Sequence, residues 1–247
     1  MNRFNQIFDW IARCFRWVGF LLIYLVDTVI LSFATMQVKH PTVVNRSIGM
    51  MLIYSAFVLA FITWRYQKQL QSNNPRHFGR TKLTGTRFGQ LMAFFFLMYG
   101  IQMVWSLLIS AHILGTPANQ TAVNSQIVQL PFWNLAYSIL FAPVIEELIF
   151  RGIFLNYFFR QNSRVMNVLG VLFSGMIFGY MHVTSLSTTW IMYSLLGCIL
   201  GWAYLHFRDI RYNTTLHFMN NALSLLAYIW KKSLRKSHAD FLSDFYI

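Results

Sequence analysis

The chain has 247 residues, of which 56% are hydrophobic, 18% aromatic and only 11% charged, and its mean hydropathy is +0.47. A soluble domain carries about a quarter charged residues, so this composition excludes an ordinary cytosolic enzyme, a disordered chain and a secreted disulfide scaffold. The net charge of +13 lies mostly between apolar runs, where basic side chains orient helices and meet anionic lipid headgroups; membrane lipid is the partner it implies, and nucleic acid is not.

At the N-terminus, Ile7, Phe8, Ile11, Ala12 and Phe15 share one helical stripe, with Arg3, Arg13 and Arg16 off it. That pattern predicts an amphipathic helix lying in the membrane interface, or an extension of the first span. Seven apolar stretches follow, over residues 17–36, 47–64, 89–114, 132–159, 165–182, 188–207 and 214–230. Each approaches the roughly 20 residues needed to cross hydrocarbon. The expected fold is all-α, a polytopic transmembrane helical bundle of about seven spans. Its expected organisation is an N-terminal part, 1–131, with the interfacial helix and three spans, a core at 132–230, and a basic tail at 231–247.

The segment holding Arg65, Lys68, Arg76, Arg80, Lys82 and Arg87 is the strongest cytoplasmic signal, and Arg160, Arg164, Arg208 and Arg211 read the same way. Residues 115–131 and 183–187 lack Lys and Arg and read as external. An N-terminus on the inside results. Lys39 and Arg46 dissent from it, and seven spans would put Lys231, Lys232, Arg235 and Lys236 outside. Cys14 and Cys198 are too few for a disulfide framework or a metal knuckle. Gly175 and Gly179, like Gly197 and Gly201, stand four apart, a spacing that lets two helix backbones approach closely.

The chain holds two glutamates, Glu146 and Glu147, adjacent in the middle of the fourth span. A charge at that depth costs about 2.5–3.5 kcal/mol on insertion scales, and a helix does not need it to insert. Arg151 follows Glu147 by one helical turn, within reach of an ion pair. Successive residues turn by about 100°, so Glu146 projects elsewhere, toward an interior cavity. His182 closes the fifth span, and His217 and Asn221 share a face of the seventh. Asp27, a buried acid in the first span, is expected to bond a neighbouring helix, and His206 to sit at the interface. A carboxylate and an imidazole can hold one water and take its proton. A second imidazole and a carboxamide can donate to the oxyanion that follows. Glu146, His182 and His217 could instead hold Zn²⁺ with a water at the open position.

Glu146 to Arg151 reads EExxxR, Phe178 to His182 FxxxH, and His217 to Asn221 HxxxN. In that order, on separate apolar spans, the three motifs resemble those of the CAAX-protease and bacteriocin-processing (CPBP, or Abi) family of intramembrane proteases. The resemblance covers roughly residues 134–230; residues 1–131 carry no motif. It implies an endopeptidase in which Glu146 activates water with His182, His217 and Asn221 steady the oxyanion, and Arg151 supports Glu147. It also implies a peptide or membrane-protein substrate and a bacterial plasma-membrane location, with bacteriocin self-immunity as a biological role. The preferred mechanism needs no cofactor, the alternative being zinc; the rival function is a non-catalytic immunity or scaffold protein. By helical rise, Glu146 lies roughly 21 Å from Arg160 and His217 only about 9 Å from Arg211. The two meet if the hairpin at 160–164 projects about two turns past the bilayer, which would expose both Asn156 and Gln161.

Overall fold

A computed structural model describes residues 3–115, 125–223 and 226. The expectations for the centre of the third loop, the end of the seventh span and the basic tail lie outside these residues. Among those described there is helix, turn and loop but no strand. Helix α1 spans Arg3–Met36, α2 Pro41–Ser72 and α3 Gly85–Ser110. A fourth, composite helix, α4, runs over 131–158; then come α5, Arg164–His182, α6, Thr188–Phe207, and α7 from residue 210. Helices α1, α2, α3, α5 and α6 are each long and apolar enough to cross a membrane. The chain is an integral membrane protein built as an all-α bundle.

Local chemistry sets the helix ends. Pro41 opens α2 at a position where its missing N–H is no loss. Thr84, Ser163 and Ser187 cap α3, α5 and α6, each accepting from a backbone N–H three residues on. The predicted amphipathic segment does not break from the first span, because α1 is continuous for 34 residues. Its first turns are tied down by Arg13, which pairs with Asp9 and donates to the Tyr157 carbonyl at 2.6 Å.

Helix α4 departs from regular geometry twice, with π turns at Tyr137–Phe141 and Leu148–Ile153. Pro143 accounts for the first: inside a helix it supplies no N–H to the carbonyl four residues back and its ring crowds that carbonyl. The second contains Gly152, where a Cβ would lie 2.9 Å from the Tyr66 ring. Such turns leave backbone groups outside the regular ladder, and in hydrocarbon these need other partners. Side chains supply them. The carbonyls of Ile149, Phe150, Gly152 and Ile153 accept from Trp17, Ser174, Asn156 and Gln69 respectively, at 2.8–3.2 Å.

Asn156 is thus buried at 3% exposure while Gln161 is exposed. The expectation that both reach the cytoplasmic face is corrected for Asn156, whose amide is used inside the bundle to satisfy Gly152. The segments that the charge bias puts on one side do meet. The link between α2 and α3 straps the ends of α5, α6 and α7: Arg76 donates to the Gln161 carbonyl and to Asn167, Gly79 N–H to the Arg208 carbonyl, and Thr81 N–H to Asp209. Phe78 stacks on Tyr204 at 4.3 Å. Burial of Arg76, which has no carboxylate partner among the described residues, pushes its guanidinium below the usual arginine value. At Asp209, burial works to raise the carboxyl; hydrogen bonds from Arg211 and from the Thr81 backbone outweigh it and hold the group below its ordinary value.

Candidate active site

The two adjacent acids of α4 have different surroundings. Glu147 is fully buried and accepts from three side chains: Arg151 Nη1 at 3.0 Å, His217 Nδ1 at 2.9 Å, and Asn213 Nδ2. Three donors thus converge on its two oxygens. Arg151, also fully buried, donates its other terminal nitrogen to the Gly197 carbonyl at 3.0 Å, and its guanidinium lies 4.4 Å from the centre of the Phe178 ring. That carbonyl is within reach because α5 and α6 pack backbone to backbone; a Cβ on Gly197 would lie 2.9 Å from the Gly175 Cα. The small-residue spacing therefore serves helix packing, as its sequence pattern indicated.

Glu146 makes no contact with Arg151. Its Oε2 faces His217 Nε2 at 3.8 Å, and its Oε1 accepts the Tyr24 hydroxyl of α1 at 2.5 Å. His217 thus stands between the acids, Nδ1 on Glu147 and Nε2 toward Glu146. With Nδ1 donating to a carboxylate, Nε2 is a lone-pair acceptor in the neutral ring and a donor in the imidazolium.

His182 is fixed by its own helix. Its Nδ1 is 2.9 Å from the Phe178 carbonyl one turn back; a carbonyl only accepts, so Nδ1 carries the proton and Nε2 is left with a lone pair. This explains the FxxxH spacing in physical terms. The His182 ring packs between Phe178, at 4.3 Å, and Tyr193, stacked at 4.8 Å, and Phe178 also touches the His217 ring at 5.8 Å. Asn221 Nδ2 donates to the Ser138 carbonyl of the first π turn at 2.9 Å, leaving its second N–H for another acceptor.

The structure therefore draws Glu146, Glu147, Arg151 and His217 into direct contact, links His182 to them through Phe178, and seats Asn221 one turn beyond His217. Among the described residues no group of three His, Cys, Asp or Glu side chains stands close enough together to read as a preformed metal site. Asp27 does bond a neighbouring helix: Ser55 of α2 donates across its oxygens at 2.7 and 2.9 Å. His206, exposed, meets Gln90 at 3.1 Å. Two members of the site escaped the sequence reading. Asn213 precedes His217 by four residues as His217 precedes Asn221, so the repeat of four was there to be extended. Tyr24 carries no such signal, being one aromatic residue in an apolar run.

Two carboxylates and one imidazole are buried where the helices meet, with a second, half-buried imidazole beside them. Residues 128–223 match the family model described as Type II CAAX prenyl endopeptidase Rce1-like. That match falls on the region that carries the three motifs. The chain is also similar to the UPF0177 protein YvdC of Lactococcus lactis subsp. lactis (strain IL1403), 30% identical over 112 residues, which are 45% of this chain and 41% of that protein. The chain thus aligns with less than half the length of this curated relative. No solved structure matches it.

Proposed function

We infer that the chain is an intramembrane endopeptidase that hydrolyses a peptide bond with water activated by Glu146 and His182. The observation that carries this reading is the separation of roles between the two acids. Glu147 is consumed as the hub that orients Arg151, Asn213 and His217, while Glu146 accepts no hydrogen bond from Arg151 and turns Oε2 toward His217 at 3.8 Å.

Glu146 takes a proton from a water held between its Oε2 and the lone pair of His182 Nε2. The water oxygen attacks the carbonyl carbon, and the charge arriving on the carbonyl oxygen meets N–H groups of His217, as imidazolium, and Asn221. The proton on Glu146 then passes to the amide nitrogen as the C–N bond breaks, so one water is consumed and an acid and an amine leave. No step requires a metal. The Rce1-like match supports a CAAX-type peptide or membrane-protein substrate, and the Lactococcus relative supports a bacterial plasma membrane, where protection of the cell against its own bacteriocin is the role the motif pattern suggests.

The test uses the full chain in lipid nanodiscs and an internally quenched farnesylated CAAX peptide, beside a bacteriocin-protection assay in cells. Glu146→Gln and His182→Ala should each lower kcat/KM by about 10³-fold or more and abolish protection while the protein still accumulates. Protection retained by both variants would mean that the protein acts by binding alone. Activity should survive 1,10-phenanthroline; loss with recovery on zinc would move the chemistry to a metal.

A further inference from the structure

We propose that Tyr24, on α1 and outside the region that matches the family, is a positioning residue for Glu146. This rests on the hydrolytic reading above and adds to it a part of the chain that carries no motif. Glu146 is 8% exposed and has no arginine on it, so an unassisted carboxylate there could rotate and present either oxygen. The Tyr24 hydroxyl at 2.5 Å occupies Oε1, which leaves Oε2, the oxygen facing His217, as the one that can take a proton from water.

The hydroxyl is itself held from both sides. Seven residues earlier on the same face of α1, Trp17 donates to the Ile149 carbonyl of α4 at 3.1 Å, fixing how α1 lies along that helix. Three residues later, Asp27 is fully buried and clasped by Ser55 of α2, and Tyr54 of α2 donates to the Ile23 carbonyl at 2.9 Å. Trp17 and Tyr24 thus face α4, and Asp27 ties the next turn of α1 to α2. A buried tyrosine usually finds a partner for its hydroxyl; here the partner is the acid of the site that forms no ion pair with Arg151.

Tyr24→Phe keeps the ring and deletes the donor. A hydrogen bond to a charged group is worth about tenfold or more in an equilibrium, so kcat on the farnesylated peptide should fall about tenfold, with KM within about twofold. A carboxylate that loses a donor holds its proton more tightly, so the acid limb of kcat/KM should move to higher pH. Fluorotyrosine placed at position 24 keeps shape and donor and should retain activity, with the acid limb displaced the opposite way. Its fluorine resonance should change when Glu146→Gln is added, a response that a purely structural tyrosine would not give. Wild-type kcat and an unmoved acid limb in Tyr24→Phe would overturn the proposal; so would a fluorine resonance indifferent to Glu146→Gln, which decides the matter if Tyr24→Phe fails to accumulate. Cleavage by Glu146→Gln itself would remove the hydrolytic reading, whereas a silent Tyr24→Phe in an enzyme that needs Glu146 removes only the role of Tyr24.

Discussion

In α1 to α3, a Cβ added at Gly19, Gly49, Gly89 or Gly100 would meet nothing within 4 Å, whereas in α5 and α6 it would lie 2.8 Å from Cys198 N at Gly175, 2.8 Å from Ser194 N at Gly179, and 2.9 Å from the Gly175 Cα at Gly197. Polar groups divide along the same line. Helices α1 and α2 contribute single side chains that reach across to α4, among them Arg13, Trp17, Tyr24 and Gln69. The later helices enclose a connected cluster around Glu147. One region is packed so tightly that its backbone is part of the site; the other braces it through a few hydrogen bonds between residues far apart in sequence. A motif search finds the first kind of contribution and passes over the second.

This contrast can be broken in order of expected effect. Arg151→Leu leaves Glu147 buried without its cation, and loss of one partner of a buried pair costs about 3–5 kcal/mol; thermal unfolding in nanodiscs should show most of the protein lost or destabilised. An outcome near neutral would mean that Asn213 and His217 suffice. Next, Gly179→Ala must part α5 from α6 and should cost about 1–3 kcal/mol, the usual range for overpacking, while Gly201→Ala, where the nearest atom is at 3.5 Å, should be tolerated. In the first region the sign should reverse. Gly49→Ala or Gly100→Ala, both within open helix, should stabilise by about 0.5–1 kcal/mol. If these variants lose stability too, the two regions do not differ as described.

The smallest effect concerns the seam between them. Asp209 binds the Thr81 backbone and Arg211, and its carboxyl is held below the ordinary value. A depressed carboxylate contributes stability that is complete above its unfolded value of about 3.9 and is lost as pH falls through the lower folded value. Proteolysis of the strap at residues 73–84 should therefore be pH-independent from neutrality to about pH 4 and accelerate only below it. Asp209→Asn should remove that pH response.

The all-helical membrane fold was legible because a span needs a long apolar run, and nothing else in a composition of this kind produces several of them. The three motifs were legible because ionisable groups are scarce in spans, so each one stands out. The pairing of Glu147 with Arg151 followed from helical spacing alone. The π turns of α4 did not show, since a change of turn leaves no mark in hydrophobic periodicity and the close approach of Gly152 to Tyr66 is a tertiary contact. Asn156, expected at the surface, is instead consumed by the Gly152 carbonyl, a bond within α4 that hydrophobic periodicity does not show. Tyr24 was hidden for a simpler reason: its meaning lies in a partner 122 residues away.

The side-chain bonds to the carbonyls of Ser138, Ile149, Phe150 and Ile153 come from Asn221, Trp17, Ser174 and Gln69, two of which precede α4 in the chain and two of which follow it. During synthesis the fourth helix thus enters lipid with half of these donors not yet made, and its widened turns are unsupported until α5 and α7 arrive. An incomplete chain halted in the membrane would therefore carry the glutamates without the partners that hold Glu147 and the first π turn.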